Sequence, residues 1–153
     1  MKHVPGEGEC VVSGDRAEQL AEFAHLLLYV GRKLSLHTPD HSEVVPLSTL
    51  EGVCLEYIHR HPGTTSGDIA SHLGLKSSNA SAILRSMEAK GMVKREASAK
   101  DRRQVSVWLT PLAERSIDLI AQDWVRLLDP LAGDDGSLES ALAMLQAIDD
   151  GWR

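Results

Sequence analysis

The hydrophobic pattern begins only after residues 1–13, a polar, glycine-broken stretch that reads as a flexible tail. Asp15 then opens a helix, with Glu18 at the capping-box distance. Leu20, Ala24, Leu27, Leu28, Gly31 and Leu34 follow at helical spacing, and Phe23 and Val30 widen the stripe. So broad an apolar face on a terminal helix predicts burial on more than one side. His37 to Pro46 reads as a connector. Ser48 starts a second helix with Glu51 as its reciprocal cap and Leu50, Val53, Cys54, Tyr57 and Ile58 as its apolar face. His61-Pro62-Gly63 ends it, since proline cannot continue the hydrogen-bond ladder.

Thr65 caps a third helix with Asp68 as partner, Ile69, Ala70 and Leu73 as apolar positions and Gly74 as terminator. About three residues later a fourth helix, Ser77–Lys90, turns Ala80, Ile83, Leu84 and Met87 inward, and Gly91 ends it. Two short helices across a tight glycine-containing turn match a helix-turn-helix. Met92–Arg95 and Gln104–Leu109 are β-prone, and the polar run Glu96–Arg103 between them reads as a hairpin tip. Val105, Val107 and Leu109 alternate with Gln104, Ser106 and Trp108, the period of a half-buried strand, which turns Trp108 towards a neighbouring surface. Thr110-Pro111 then reads as an N-cap followed by proline at the first helical position. A long helix over Leu112–Leu128 is broken by Asp129-Pro130 and by Gly133 to Gly136. Ser137 starts a last helix carrying Leu138, Leu142, Leu145 and Ile148. The predicted class is α+β, mainly α.

The 153 residues suit one domain with an assembly element, and 42% hydrophobic content supports a real core. No apolar run is long enough for a bilayer, no secretory signal precedes the first helix, and two cysteines make no disulfide framework. The expected location is therefore cytoplasmic, away from membranes. A net charge of −6 argues at first against nucleic acid. Its distribution reverses that. Lys76 to Arg103 holds eight basic residues against three acids, +5, so the rest of the chain carries −11. A basic segment in an acidic protein is the footprint of a confined phosphate-binding face.

The outward side of Ser77–Lys90 carries Ser77, Ser78, Asn79, Ser81, Ala82, Arg85 and Ser86. Short hydroxyl and amide side chains fit against base edges or phosphates in a major groove, and arginine can pair with guanine or phosphate. Thr65 and Lys76 flank this face, and Lys94 follows it. In Lys100-Asp101-Arg102-Arg103, Asp101 stands two residues before Arg103 at an exposed turn. A carboxylate there can hold a guanidinium in one pose, so that less rotamer freedom is lost when it enters a minor groove. An exposed ion pair alone is worth about 0–1 kcal/mol. Its position directly after a helix-turn-helix is what points to DNA.

Asp68-Ile-Ala-Ser-His-Leu-Gly74, Asn79-Ala-Ser-Ala-Ile-Leu84, Met87-Glu-Ala-Lys-Gly-Met-Val93, Asp101-Arg-Arg103 and Val107-Trp-Leu-Thr110 together resemble the MarR family of bacterial transcription regulators. The resemblance covers about residues 47–115, and the flanking helices agree in order and length. It implies a winged helix-turn-helix over 47–110. It also implies dimerisation helices over 14–46, including the connector, and over 111–153, and a brace from Asp101 to Arg103. It further implies a homodimeric repressor on pseudo-palindromic double-stranded DNA, released when a small phenolic or other aromatic anion enters a cleft. His25, Leu28, Tyr29, Arg32, Tyr57 and His61 are the candidate effector residues. Two positions depart from the pattern. Ala82 stands where many relatives carry arginine, and Ala113 where glycine is common.

Other chemistry is weaker. His37 with His41, and His59 with His61, could suggest a zinc sensor, but no cysteine–histidine cluster completes a tetrahedral set, so no metal is expected. Cys54 sits on an apolar face and Cys10 in the tail, neither a setting that stabilises a reactive thiolate. No phosphate-binding glycine loop or paired nucleophile and base indicates an enzyme or a cofactor. The competing reading is a winged-helix module for protein–protein contact, with its basic surface incidental.

Overall fold

Two capping boxes set where the helices of the central segment begin. The Ser48 hydroxyl accepts from the Glu51 amide at 3.3 Å, and Glu51 Oε2 accepts from the Ser48 amide at 2.7 Å. Thr65 and Asp68 repeat the arrangement at 3.2 and 3.1 Å, and Thr65 Oγ1 also donates to Asp68 Oδ2 at 2.7 Å. Each box satisfies two amides that a helix start leaves without partners. The computed structural model describes residues 14–37, 44–97 and 104–151. Its elements are α1 (Gly14–Leu36), α2 (Thr49–Arg60), β1 (Thr64–Thr65), α3 (Ser66–His72), α4 (Ser77–Ala89), β2 (Val93–Ala97) and β3 (Val105–Leu109). They continue with α5 (Pro111–Leu128), a 3-10 turn (Asp129–Leu131) and α6 (Asp135–Gly151). The fold is mainly α with one small antiparallel sheet, as the pattern predicts. The predicted tail, residues 1–13, and connector positions 38–43 lie outside the described residues.

The chain divides into two compact units, Met1–Thr38 and Pro39–Arg153. In the first, α1 buries none of its side chains, and Leu28 and Tyr29 are 73% and 70% exposed. In the second, Cys54, Leu55 and Ile58 of α2 meet Ile69 of α3 and Leu84 and Met87 of α4. Met92, Val93, Val107 and Ala113 complete this core. The buried face of α2 keeps Cys54 and Ile58 of the predicted stripe but is rotated from its other edge. Leu50 and Val53 are exposed, whereas Leu55 and the carboxylate of Glu51 are buried. Burying a charge is tolerated only with hydrogen-bonded partners, and Glu51 has them.

The turn between α3 and α4 runs through Gly74, whose φ of +60° suits glycine best. There the Leu75 amide donates to the Ala70 carbonyl at 2.8 Å and closes α3. In the sheet the order is β1-β3-β2, with Thr64 and Arg95 flanking Val107 from either side. The sequence pattern predicts no β1, because two residues are too few to show alternation and Thr65 reads as a cap. Val107 is buried and Leu109 half-buried, but Val105, paired with Ala97 at the turn end of the hairpin, is exposed. Trp108 lies on the opposite face, over the backbone of Gly63. A Cβ at that glycine would stand 2.8 Å from the indole Cζ2.

Thr110 caps α5 by accepting from the Ala113 amide at 3.3 Å, and its hydroxyl donates to the Gly91 carbonyl at 2.6 Å. Ala113 and Ser116 root α5 in the core, while Val125, Leu127 and Leu128 near its end are exposed. α6 starts two residues before Ser137, because Asp134 Oδ1 accepts from the Ser137 amide at 2.8 Å and so acts as the cap. This helix buries no side chain, and Leu138, Leu142, Met144 and Leu145 are exposed.

Candidate nucleic-acid interface

The candidate surface rests on α4, whose inner side is fixed by Ala80, Leu84 and Met87. Helical geometry therefore turns the intervening positions outward. Lys76, Ser77, Ser78, Asn79, Ala82 and Arg85 are all exposed. Ser81 is half-buried, its hydroxyl 3.5 Å from that of Ser66, so it faces α3 rather than open solvent. Lys76 is the N-cap residue and makes no side-chain cap bond. The first turn of α4 contains no acid, so nothing there repels a phosphate from the positive end of the helix. Thr65 is part of the β1 pairing, and its hydroxyl is engaged in the α3 capping box.

The basic footprint is smaller than the count of cations suggests. Lys90 Nζ lies 2.7 Å from Glu51 Oε2 and 3.0 Å from the Pro46 carbonyl, so it joins elements of the fold. Arg95 Nε lies 3.4 Å from Glu88. Lys94 is 2.8 Å from Glu96, with both side chains about half exposed. Such a surface pair is worth about 0–1 kcal/mol, so a phosphate can displace Glu96 with little loss. Lys100, Asp101, Arg102 and Arg103, placed by the sequence at the hairpin tip, lie outside the described residues.

The candidate effector residues fall into two groups. His25, Leu28, Tyr29 and Arg32 lie on α1 at helical spacing and are all exposed. Tyr57 of α2 and His61, its C-cap residue, are brought together, ring centroids 4.4 Å apart and inclined by 24°. Sequence spacing alone does not reveal that His72 of α3 joins them, its ring 4.4 Å from Tyr57.

Glu51 is a further residue whose full role the sequence pattern conceals. Burial raises its pKa, but hydrogen bonds from Lys90, the Ser48 backbone and the hydroxyls of Ser86 and Ser48 outweigh that and hold it down to about 2. The capping spacing announces its bond to Ser48. Its partners 35 and 39 residues away have no local signature. Cys54 shows the opposite effect. Burial and the neighbouring Glu51 charge push its thiol up to about 11, away from the thiolate that redox sensing needs. Cys10 and His41 lie outside the described residues. Among the described residues, no three His, Cys, Asp or Glu side chains gather to hold a metal ion.

Residues 46–104 match the MarR family. None of the curated proteins matches the chain. Among solved structures, a MarR transcriptional regulator from Methanosarcina mazei Go1 superposes with a TM-score of 0.69 at 18% identity, over 86% of this chain and 97% of that one. The S. aureus MepR–DNA complex gives 0.63 at 22% identity, over 86% and 98%. A structure titled simply MarR gives 0.62 at 22%, over 88% and 98%. At these identities the superpositions establish the fold, and the sequence match is confined to the central segment. Residues 46–104, the winged helix-turn-helix of this chain, are thus similar to the MarR family, whose members are transcription regulators rather than enzymes.

Proposed function

We propose that the protein is a cytoplasmic, homodimeric, ligand-responsive repressor that binds pseudo-palindromic double-stranded DNA through α4. One observation carries the reading. The first three turns of α4 present Ser77, Ser78, Asn79, Ala82 and Arg85 outward from a helix locked on its other side by the core. A two-fold dimer sets two such helices about one helical turn apart, in successive major grooves. Two solved structures of the same fold, both S. aureus MepR, are complexes with DNA. The dimer is supported by the exposed leucines of α1, α5 and α6, apolar surface of the kind that marks protein contacts.

In this reading Ser77, Ser78, Asn79 and Arg85 face bases and phosphates, with Ser81 and Ala82 beside them. Thr65, Lys76, Lys94, Lys100 and Arg102 contact phosphates, and Arg103, braced by Asp101, enters the minor groove. Ala82 can make only apolar contact, so groove shape carries more of the selectivity. A small aromatic anion weakens the complex, with Tyr57 and His61 among its contacts, and His25, Leu28, Tyr29 and Arg32 as the candidates on α1. The deciding experiment is fluorescence anisotropy on the intergenic DNA flanking the gene, across a salt series. Binding that is sequence-selective and falls steeply with salt is expected. Salt-independent binding, or none, would favour a protein-contact module instead.

A further inference from the structure

We propose that Glu51 is the positioning residue that fixes the rotation of α4 about its own axis, and hence which side chains face DNA. The inference rests on the DNA-binding reading above. Glu51 is 4% exposed, and its carboxylate gathers three donors. Its Oε1 accepts from Ser86 Oγ at 2.7 Å, and its Oε2 accepts from Lys90 Nζ and from the Ser48 amide, both at 2.7 Å. Lys90 Nζ also donates to the Pro46 carbonyl at 3.0 Å. One carboxylate thus ties the start of α2 to two points at the end of α4.

Ser86 and Lys90 are four residues apart, so they lie along one flank of α4. That flank borders the outward face of Ser78, Ala82 and Arg85 and is distinct from the apolar face of Ala80, Leu84 and Met87. The division of labour follows from the forces involved. Apolar contact is non-directional, and a helix resting on Leu and Met can roll while keeping its buried area. Charge-assisted hydrogen bonds at 2.7 Å are short and directional. Loss of the clamp therefore leaves α4 folded on its core but free to roll, which blurs base readout more than backbone attraction.

The test uses a duplex selected by the full-length wild-type protein from a random-sequence pool, against mixed-sequence duplex DNA. Two folded variants are compared with wild type. Glu51→Gln keeps the side-chain shape but loses the charge, and Lys90→Met cuts the clamp while leaving the α2 capping box. The ratio of selected-site to mixed-sequence affinity should fall at least tenfold in both. Glu51→Gln removes a negative charge, so simple electrostatics would strengthen binding to any DNA, opposite to the expected loss on the selected site. Lys90→Arg should restore most of the ratio. A ratio within twofold of wild type in either disruptive variant, or equal losses on both duplexes, overturns the positioning role and leaves the DNA-binding reading intact. If wild-type protein selects no sequence, both readings fail together.

Discussion

Acid should dismantle the Glu51 clamp within a definite pH window, and the size of the effect follows from the site. The carboxyl has an ordinary pKa of 4.5 and is held at about 2 in the folded chain. A group with a depressed folded pKa contributes stability above its unfolded value and loses it as pH falls towards the folded one. The shift corresponds to about 3 kcal/mol at pH 7, at about 1.4 kcal/mol per unit. Little discount for solvent applies, because only 6% of the side chain is exposed. Glu51→Gln presents an amide N–H₂ where one carboxylate oxygen now accepts two donors. It should therefore unfold about 3 kcal/mol more easily at pH 7. Urea titrations followed by tryptophan fluorescence, at fixed protein concentration because the proposed dimer would make the midpoint depend on it, provide the comparison. Wild type and variant should differ by the full amount above pH 4.5 and converge as the pH approaches 2. A difference that stays constant from pH 7 to pH 2.5 would refute the assignment, since a cap or packing effect does not titrate.

Gly63→Ala should destabilise by about 1–3 kcal/mol and change the tryptophan emission, because φ is +78° and the added methyl would meet the Trp108 ring; an unchanged midpoint would rule that packing out. In a Cys10→Ser background, Cys54 should react with a thiol reagent at pH 8 only as fast as the chain opens, since the thiol is buried and its pKa raised to about 11; rapid labelling of native protein would contradict this. Arg103→Ala should weaken binding to the selected duplex by about 1–3 kcal/mol while sedimentation still reports a dimer; unaltered affinity would remove Arg103 from the interface. Lys100→Ala should lower the slope of log affinity against log salt by about one contact, and an unchanged slope would place it away from phosphate.

What was legible in the sequence and what was not divides along the range of the interactions. Ser48 with Glu51 and Thr65 with Asp68 announce helix starts because both partners lie within four residues. The alternation around Val107 likewise announces a strand, since its period is written in adjacent positions. The two-residue strand Thr64–Thr65 is invisible by the same logic, because it exists only through its pairing with Ser106 and Val107. The predicted face of α2 holds for Cys54, Tyr57 and Ile58 and fails instructively at Leu50 and Val53. Counting apolar residues selects Leu50 and Val53, whereas the chain buries Glu51 and Leu55. That choice is stable only because Ser86 and Lys90 arrive from α4 with donors the local sequence does not contain.

The same long-range pairing changes the meaning of the charge pattern. Eight cations over Lys76 to Arg103 suggest a continuous basic surface, yet Lys90 faces a buried carboxylate and Arg95 faces Glu88. Cations that hold the scaffold are separated from Lys76 and Arg85, which are exposed on α4. A phosphate-facing lysine must exchange water for phosphate, whereas Lys90 is already satisfied by two oxygen acceptors and would forfeit them to reach DNA. The reading surface is therefore narrower than charge alone implies. In the proposed reading, its accuracy depends on a cation held away from it by Glu51 and Pro46.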